Sequence, residues 1–163
     1  MDIKSLSTSE LISNYSEIIG ELKDRKVIRT KNLLGDLAEY LVIEHFTKTP
    51  SLPNLQPAPP GTKNVDAMSR KGERYSIKAT SGKLTGSFWG LNSPDSKVPD
   101  NQKFEFLIIA RFDNNFKLSQ LIQLTWNQFV KYKSWNKTMR CWKISITKEL
   151  LKDGDVLIDS HLV

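Results

Sequence analysis

The stretch Asp66-Ala67-Met68-Ser69-Arg70-Lys71-Gly72-Glu73-Arg74-Tyr75-Ser76-Ile77-Lys78 decides how this 163-residue chain is read. Arg70-Lys71-Gly72 suits a three-residue hairpin loop: a type I turn, then a glycine in the left-handed region that strains other side chains. That loop sets Ser69 opposite Glu73, Met68 opposite Arg74, Asp66 opposite Ser76 and Asn64 opposite Lys78. Side chains alternate along a strand, so Asp66, Ser76 and Lys78 take one face while Ala67, Tyr75 and Ile77 take the other. A loop one residue longer or shorter would separate Asp66 from Lys78. Taken alone, the pattern also suits an ordinary surface hairpin with a wet polar face.

Upstream, residues 32–46 repeat apolar side chains at helical spacing. Leu34, Ala38, Leu41 and His45 fall on one line, with Leu33 and Leu37 beside it. Glu39 lies between Val42, Ile43 and Phe46, above Gly35, whose missing side chain lets another element approach. Asp36, Tyr40 and Glu44 form the expected wet face. A carboxylate among apolar neighbours is costly unless it is paired, protonated or bound to a cation. The plainer alternative is that Glu39 sits at the helix margin and reaches solvent.

A helix carrying Gly35-x-x-x-Glu39, then a hairpin carrying Asp66 and Ser76-Ile77-Lys78, resembles the PD-(D/E)xK nuclease superfamily, which includes many restriction endonucleases. The resemblance runs from about Leu33 to Ala79 and, more loosely, through the elements that follow. It implies a restriction-endonuclease-like α/β fold, with catalytic roles for Glu39, Asp66, Ser76 and Lys78. Glu39, Asp66 and the Ile77 carbonyl would hold Mg²⁺, and Lys78 would orient or help deprotonate the attacking water. The implied activity is Mg²⁺-dependent hydrolysis of DNA phosphodiester bonds by a small type II restriction-type enzyme. Cutting both strands needs two sites, so a twofold homodimer is the economical arrangement. Two positions depart from the pattern. Val65 stands where the family name has proline, which matters little. Ser76 stands where Asp, Glu or Gln is usual, and its hydroxyl supplies no charge. Mg²⁺ prefers octahedral oxygen ligation with one or two carboxylates and several waters, so the site is one carboxylate short. A catalytically inactive nucleic-acid-binding module on the same fold is therefore the alternative reading. A basic interaction domain with a chance hairpin match is a third.

Charge agrees with a polyanionic partner. The net charge is +6, and it is unevenly spread. Residues 61–83 hold six bases (Lys63, Arg70, Lys71, Arg74, Lys78, Lys83) against two acids, and residues 131–143 hold five bases and no acid. Lys63, Arg70, Lys71, Arg74, Lys83, Lys131, Lys133, Lys137 and Arg140 are the candidate DNA contacts, interleaved with Tyr132, Trp135 and Trp142. The polar loop 92–103 and the segment 131–142 are the candidate base readers. Cys141 is the only cysteine, which rules out an intramolecular disulfide and a thiolate metal site and suits a buried filler. The N-terminal segment reads as an amphipathic helix, no apolar run is long enough to span a bilayer, and a cytoplasmic location is expected. His45 and His161 are too few and too far apart for a zinc site.

The remaining pattern predicts one α/β domain over residues 1–163, with a mixed sheet flanked by helices. Ser7-Thr8-Ser9-Glu10 is a capping box opening a helix with the apolar face Leu11, Ile12, Tyr15, Ile18, Ile19 and Leu22. A basic link, residues 25–31, follows. Residues 50–61 carry five prolines and read as a loop. Strands are expected at 87–91, 104–112, 117–124 and 140–146, the second buried on both faces. Thr125 and Thr147 cap two short helices.

Overall fold

Gly72 adopts φ +84° at the tip of the hairpin, and the strands on either side pair Met68 with Arg74 and Ala67 with Tyr75. The Ser69 amide donates to the Glu73 carbonyl and the Gly72 amide closes the turn onto the Ser69 carbonyl. The expected register is found through the Ala67–Tyr75 pair; the ladder ends there, so the expected Asp66–Ser76 and Asn64–Lys78 backbone pairs do not form. In this computed structural model, which describes residues 2–160, the hairpin is strands β2 (Ala67–Ser69) and β3 (Arg74–Thr80). His161 lies outside the described residues.

Around the hairpin run helices α1 (Thr8–Asp24) and α2 (Leu33–Lys48), and strands β1 (Leu55–Pro57), β4 (Phe106–Phe112) and β5 (Leu118–Thr125). Helix α3 (Trp126–Tyr132), strands β6 (Lys133–Asn136) and β7 (Cys141–Ile144), helix α4 (Lys148–Asp153) and strand β8 (Asp155–Asp159) complete the order. The main sheet runs β1-β2-β3-β4-β5-β8, with β3 and β4 parallel and every other pair antiparallel. This is the mixed, helix-flanked α/β architecture expected.

Two apolar layers cover the sheet. On one face Ala38, Val42 and Phe46 of α2 pack on Tyr75, Ile77, Ile108 and Ala110. On the other, Leu107, Ile109, Ile122 and Leu124 meet Phe88, Trp126, Phe129 and Ile144. β4 sits between the layers, which is why its sequence is almost continuously apolar. Full burial of a side chain such as Phe46 contributes about 1.5–3 kcal/mol.

Several expectations are corrected. Residues 87–91 form no regular strand; isolated bridges tie Phe88 to Trp142 and Leu84 to Ser145. β7 leaves the main sheet and pairs with β6, which the sequence pattern did not suggest. β1 forms inside the proline-rich stretch, and β8 docks on the β5 edge without having been anticipated. Asp36 is not on a wet face: it is 6% exposed. The space above Gly35 is filled by Asn32, the α2 N-cap, because a Cβ at Gly35 would meet the Asn32 amide nitrogen at 2.4 Å. The helix α1 expected to bury its apolar face buries no residue at all. The caps, by contrast, form as expected at Ser7, Thr125 and Thr147.

Candidate active site

Asn64 adopts the left-handed region at φ 61°, which short amides tolerate, and turns the chain just before buried Val65 and half-buried Asp66. The Asp66 amide donates to the Tyr75 carbonyl at 2.8 Å, and its own carbonyl accepts from the Ala58 amide at 2.9 Å. The backbone is thereby held from both sides. The carboxylate is held as well: Asp66 Oδ2 accepts from the Ile77 amide at 2.6 Å and from the Ser76 hydroxyl at 3.4 Å. In an extended strand the N–H and C=O of one residue point to the same edge. The Ile77 carbonyl thus faces the edge that carries Asp66, beyond the last β2–β3 pair.

Ser76 and Lys78 lie on the same face of β3, opposite the face on which Tyr75 and Ile77 pack against α2. Ser76 is buried. Lys78 is half-buried, and its ammonium lies 5.1 Å from the centre of the Phe88 ring. A cation over an aromatic face is held electrostatically while one side stays open to a partner. Phe88 in turn bridges to Trp142, so the β6–β7 ribbon adjoins the lysine.

Glu39 comes from the α2 layer and meets Asp66 at a recess of about 360 Å³, lined also by Arg29, Thr30, Thr62 and Val65. Burial, and next the Asp66 charge, push the Glu39 carboxyl above its ordinary value; Asp36 adds to this and Arg29 opposes it. The Arg29 guanidinium is hydrogen-bonded and ion-paired to Glu39. Arg29 arrives there because the Asp36 carboxylate accepts from the Arg29 amide at 2.7 Å and from the Thr30 amide, which pins the preceding link onto α2. The sequence reading missed both residues. Arg29 looked like one base in a solvated run, and no local spacing signals a partner ten residues on. Phe88 under Lys78 was missed for the same reason.

Carboxylate and carbonyl oxygens are the donor type that a small hard cation takes. Two carboxylates border one recess, where burial and then the Asp66 charge raise the Glu39 carboxyl, and the Ile77 carbonyl faces the edge that carries Asp66. Among the described residues no group of three or more His, Cys, Asp or Glu is placed to hold a metal, consistent with serine at position 76. The Arg29 guanidinium meets part of the same charge demand from the other side.

The candidate DNA contacts divide into two groups. Lys63, Arg70, Lys71, Lys83, Lys137 and Arg140 are exposed, the last two at the turn between β6 and β7. The other three are committed to carboxylates. Arg74 grips Glu105 through Nε and Nη2 at 3.1 and 2.7 Å. Lys131 pairs with Asp153 at 2.7 Å. Lys133 pairs with Asp100 at 2.5 Å, the two side chains only 11% and 8% exposed, and also lies 4.0 Å from the Trp142 ring centre. That pair ties the loop 92–103 to the β6–β7 ribbon. Burial works to raise the Asp100 carboxyl, but the Lys133 bond and the Asn92 amide outweigh it and hold it low.

Cys141 is buried with its Sγ 3.2 Å from the Ser87 hydroxyl, and His45 packs edge-on against Phe46. No helix among the described residues is long and apolar enough to cross a membrane. No family model matches this chain, and no curated protein matches it either.

Proposed function

We propose that this chain hydrolyses DNA phosphodiester bonds with Mg²⁺, as a small type II restriction-type endonuclease acting as a homodimer. The observation that carries the reading is the recess that Glu39 and Asp66 line together, where burial and then the Asp66 charge push the Glu39 carboxyl up. Glu39, Asp66 and the Ile77 carbonyl would hold the ion. When bound, Mg²⁺ supplies Lewis-acid polarisation of the phosphoryl group.

The chain's own residues supply the rest. The Ile77 amide fixes the Asp66 carboxylate in one orientation, so it is ready before substrate arrives. Lys78, the next residue along β3, orients the attacking water and offsets negative charge at phosphorus. One oxygen–phosphorus bond forms as that water loses a proton to solvent, and the ester bond on the opposite side breaks, its oxygen taking up a proton from solvent. Arg29 must release Glu39 for the carboxylate to serve as a ligand. Exposed Lys63, Arg70, Lys71 and Lys83 supply phosphate contacts that position the duplex, and Lys137 and Arg140 lie on a two-stranded ribbon of the kind a major groove admits.

A second reading, the inactive DNA-binding module, is favoured by the Arg29–Glu39 ion pair together with the uncharged Ser76. One assay separates them: purified chain with mixed duplex DNA, with and without Mg²⁺, alongside Asp66→Ala, Lys78→Ala and Ser76→Ala. The nuclease reading expects Mg²⁺-dependent cleavage that Asp66→Ala abolishes. Lys78→Ala should lower kcat severely while DNA binding persists, and Ser76→Ala should do much less. Binding without cleavage in the parent protein would select the second reading. Cleavage retained by Asp66→Ala would refute the active site.

A further inference from the structure

Three of the four tryptophans find ring partners within the fold. The Trp126 ring centre lies 5.0 Å from that of Phe104 and 5.3 Å from that of Phe129, and Trp135 and Trp142 meet at 5.2 Å. Trp89 is different. It is 58% exposed, and among the described residues its ring meets no other ring and no cation. A single exposed apolar side chain is ordinary in itself, so the weight falls on where this one stands.

The backbone that presents it is held firmly. The Phe88 amide donates to the Trp142 carbonyl at 2.8 Å, the Thr85 amide to the Ile144 carbonyl at 3.0 Å, and the Lys83 carbonyl accepts from the Ile146 amide at 2.7 Å. This anchored segment runs beside the candidate active site. Phe88, the residue before Trp89, has the Lys78 ammonium 5.1 Å from its ring centre. Gly90, the residue after, adopts φ +75°, and a Cβ built there would lie 3.8 Å from the side-chain nitrogen of Asn64, two residues before Asp66. Trp89 is thereby set between the lysine and the turn that delivers Asp66. Added Cβ atoms at Gly82 and Gly86 would meet nothing within 4 Å, so the approach along the segment is open.

The surrounding charge selects the ligand. Residues 75–94 carry Lys78 and Lys83 and no acid, and Lys63 adjoins Asn64. Cations around a free aromatic plane suit a molecule that joins phosphate to a flat ring, which is a nucleotide strand. A base inside a duplex has both faces covered by its neighbours; an unpaired base turns out at the least cost.

We propose that Trp89 is a base-stacking residue, taking the face of an unpaired nucleobase in the DNA strand whose phosphate lies at Asp66 and Lys78. The inference rests on the DNA-directed reading of that site and adds a substrate class to it: DNA with a base unpaired beside the phosphate. Every base has a π-face, so the contact positions the strand without reading its sequence.

The test is fluorescence anisotropy with two labelled probes, a fully paired duplex and the same duplex carrying one unpaired thymine. Ca²⁺ replaces Mg²⁺, so that binding is read without the Mg²⁺-dependent step. The parent should prefer the probe with the unpaired thymine by about 5- to 150-fold, the range that one base–aromatic stack supplies. Trp89→Ala should erase that preference and Trp89→Phe should keep most of it. The salt slope should be the same for all three proteins, because no phosphate contact has changed. Trp89 is exposed, so both variants should keep the parent Tm. A parent without the preference, or a preference that survives Trp89→Ala, overturns the inference. If such a parent still cleaves duplex DNA with Mg²⁺, the nuclease reading stands and this inference alone has failed. A preference lost in Trp89→Ala, in a parent that never cleaves, upholds the stacking and removes the nuclease reading. A parent that binds neither probe overturns both.

Discussion

Replacing Asp36 with alanine tests how the link before α2 is held. Its carboxylate is 6% exposed and accepts two backbone amides, those of Arg29 and Thr30. A hydrogen bond to a charged group contributes about 1.5–3 kcal/mol, so losing two sets a range of about 3–6 kcal/mol. Arg29 and Thr30 are exposed, and their freed amides can turn to water. The lower end therefore applies, about 3 kcal/mol. For a domain of this size that corresponds to a fall in Tm of about 6–12 °C. Asp36→Asn keeps an acceptor oxygen but loses the charge, and should cost about 1–1.5 kcal/mol. Urea unfolding followed by circular dichroism measures both, and an unchanged m-value would confirm that only native-state interactions were lost. A cost below about 1 kcal/mol for Asp36→Ala would show that these amides are satisfied without the carboxylate, and the account of how Arg29 reaches Glu39 would fall with it.

Four further outcomes rest on the same structure. Glu39 has its folded-state carboxyl raised by burial and by Asp66, so the folded chain holds that proton more readily than the unfolded one. Stability should therefore decline as pH rises through the range just above the ordinary carboxylate value and level off beyond it, and Glu39→Gln should remove that decline in Tm measured from about pH 4 to 7. Arg29 competes for the Glu39 carboxylate in a partly exposed pair worth about 0.5–1 kcal/mol, so Arg29→Ala should tighten Mg²⁺ binding about two- to fivefold by calorimetry; weaker binding would mean Arg29 helps build the site. Arg70→Ala/Lys71→Ala should lower the salt slope of duplex binding by up to about 1.8, at roughly 0.9 per phosphate contact. Lys133→Ala should instead lose about 3 kcal/mol of stability by leaving Asp100 unpaired. A pure loss of DNA affinity there would reassign Lys133 to the binding surface.

Much of this molecule was legible in the chain because it rests on neighbours in sequence. The Arg70-Lys71-Gly72 turn determines the hairpin register through local dihedral preferences, and that register sets Ser76 and Lys78 on one face. The caps at Ser7, Thr125 and Thr147 are likewise local, each side chain bonding an amide three residues on. The apolar run of β4 announced a strand buried on both sides. What the chain could not announce depends on which elements meet. Arg74 and Glu105 are 31 residues apart and Lys133 and Asp100 are 33 apart, so neither base could be withdrawn from the candidate DNA surface by pattern. Asp36 looked wet because helical spacing reports the face of a helix, not the loop that folds back over it. β8 required a free β5 edge, and that α1 would lie without a buried residue depends on where the rest of the chain packs. A side chain's periodicity is set within a few residues, but its partner is set by chain topology, and charge pairing and burial follow the partner.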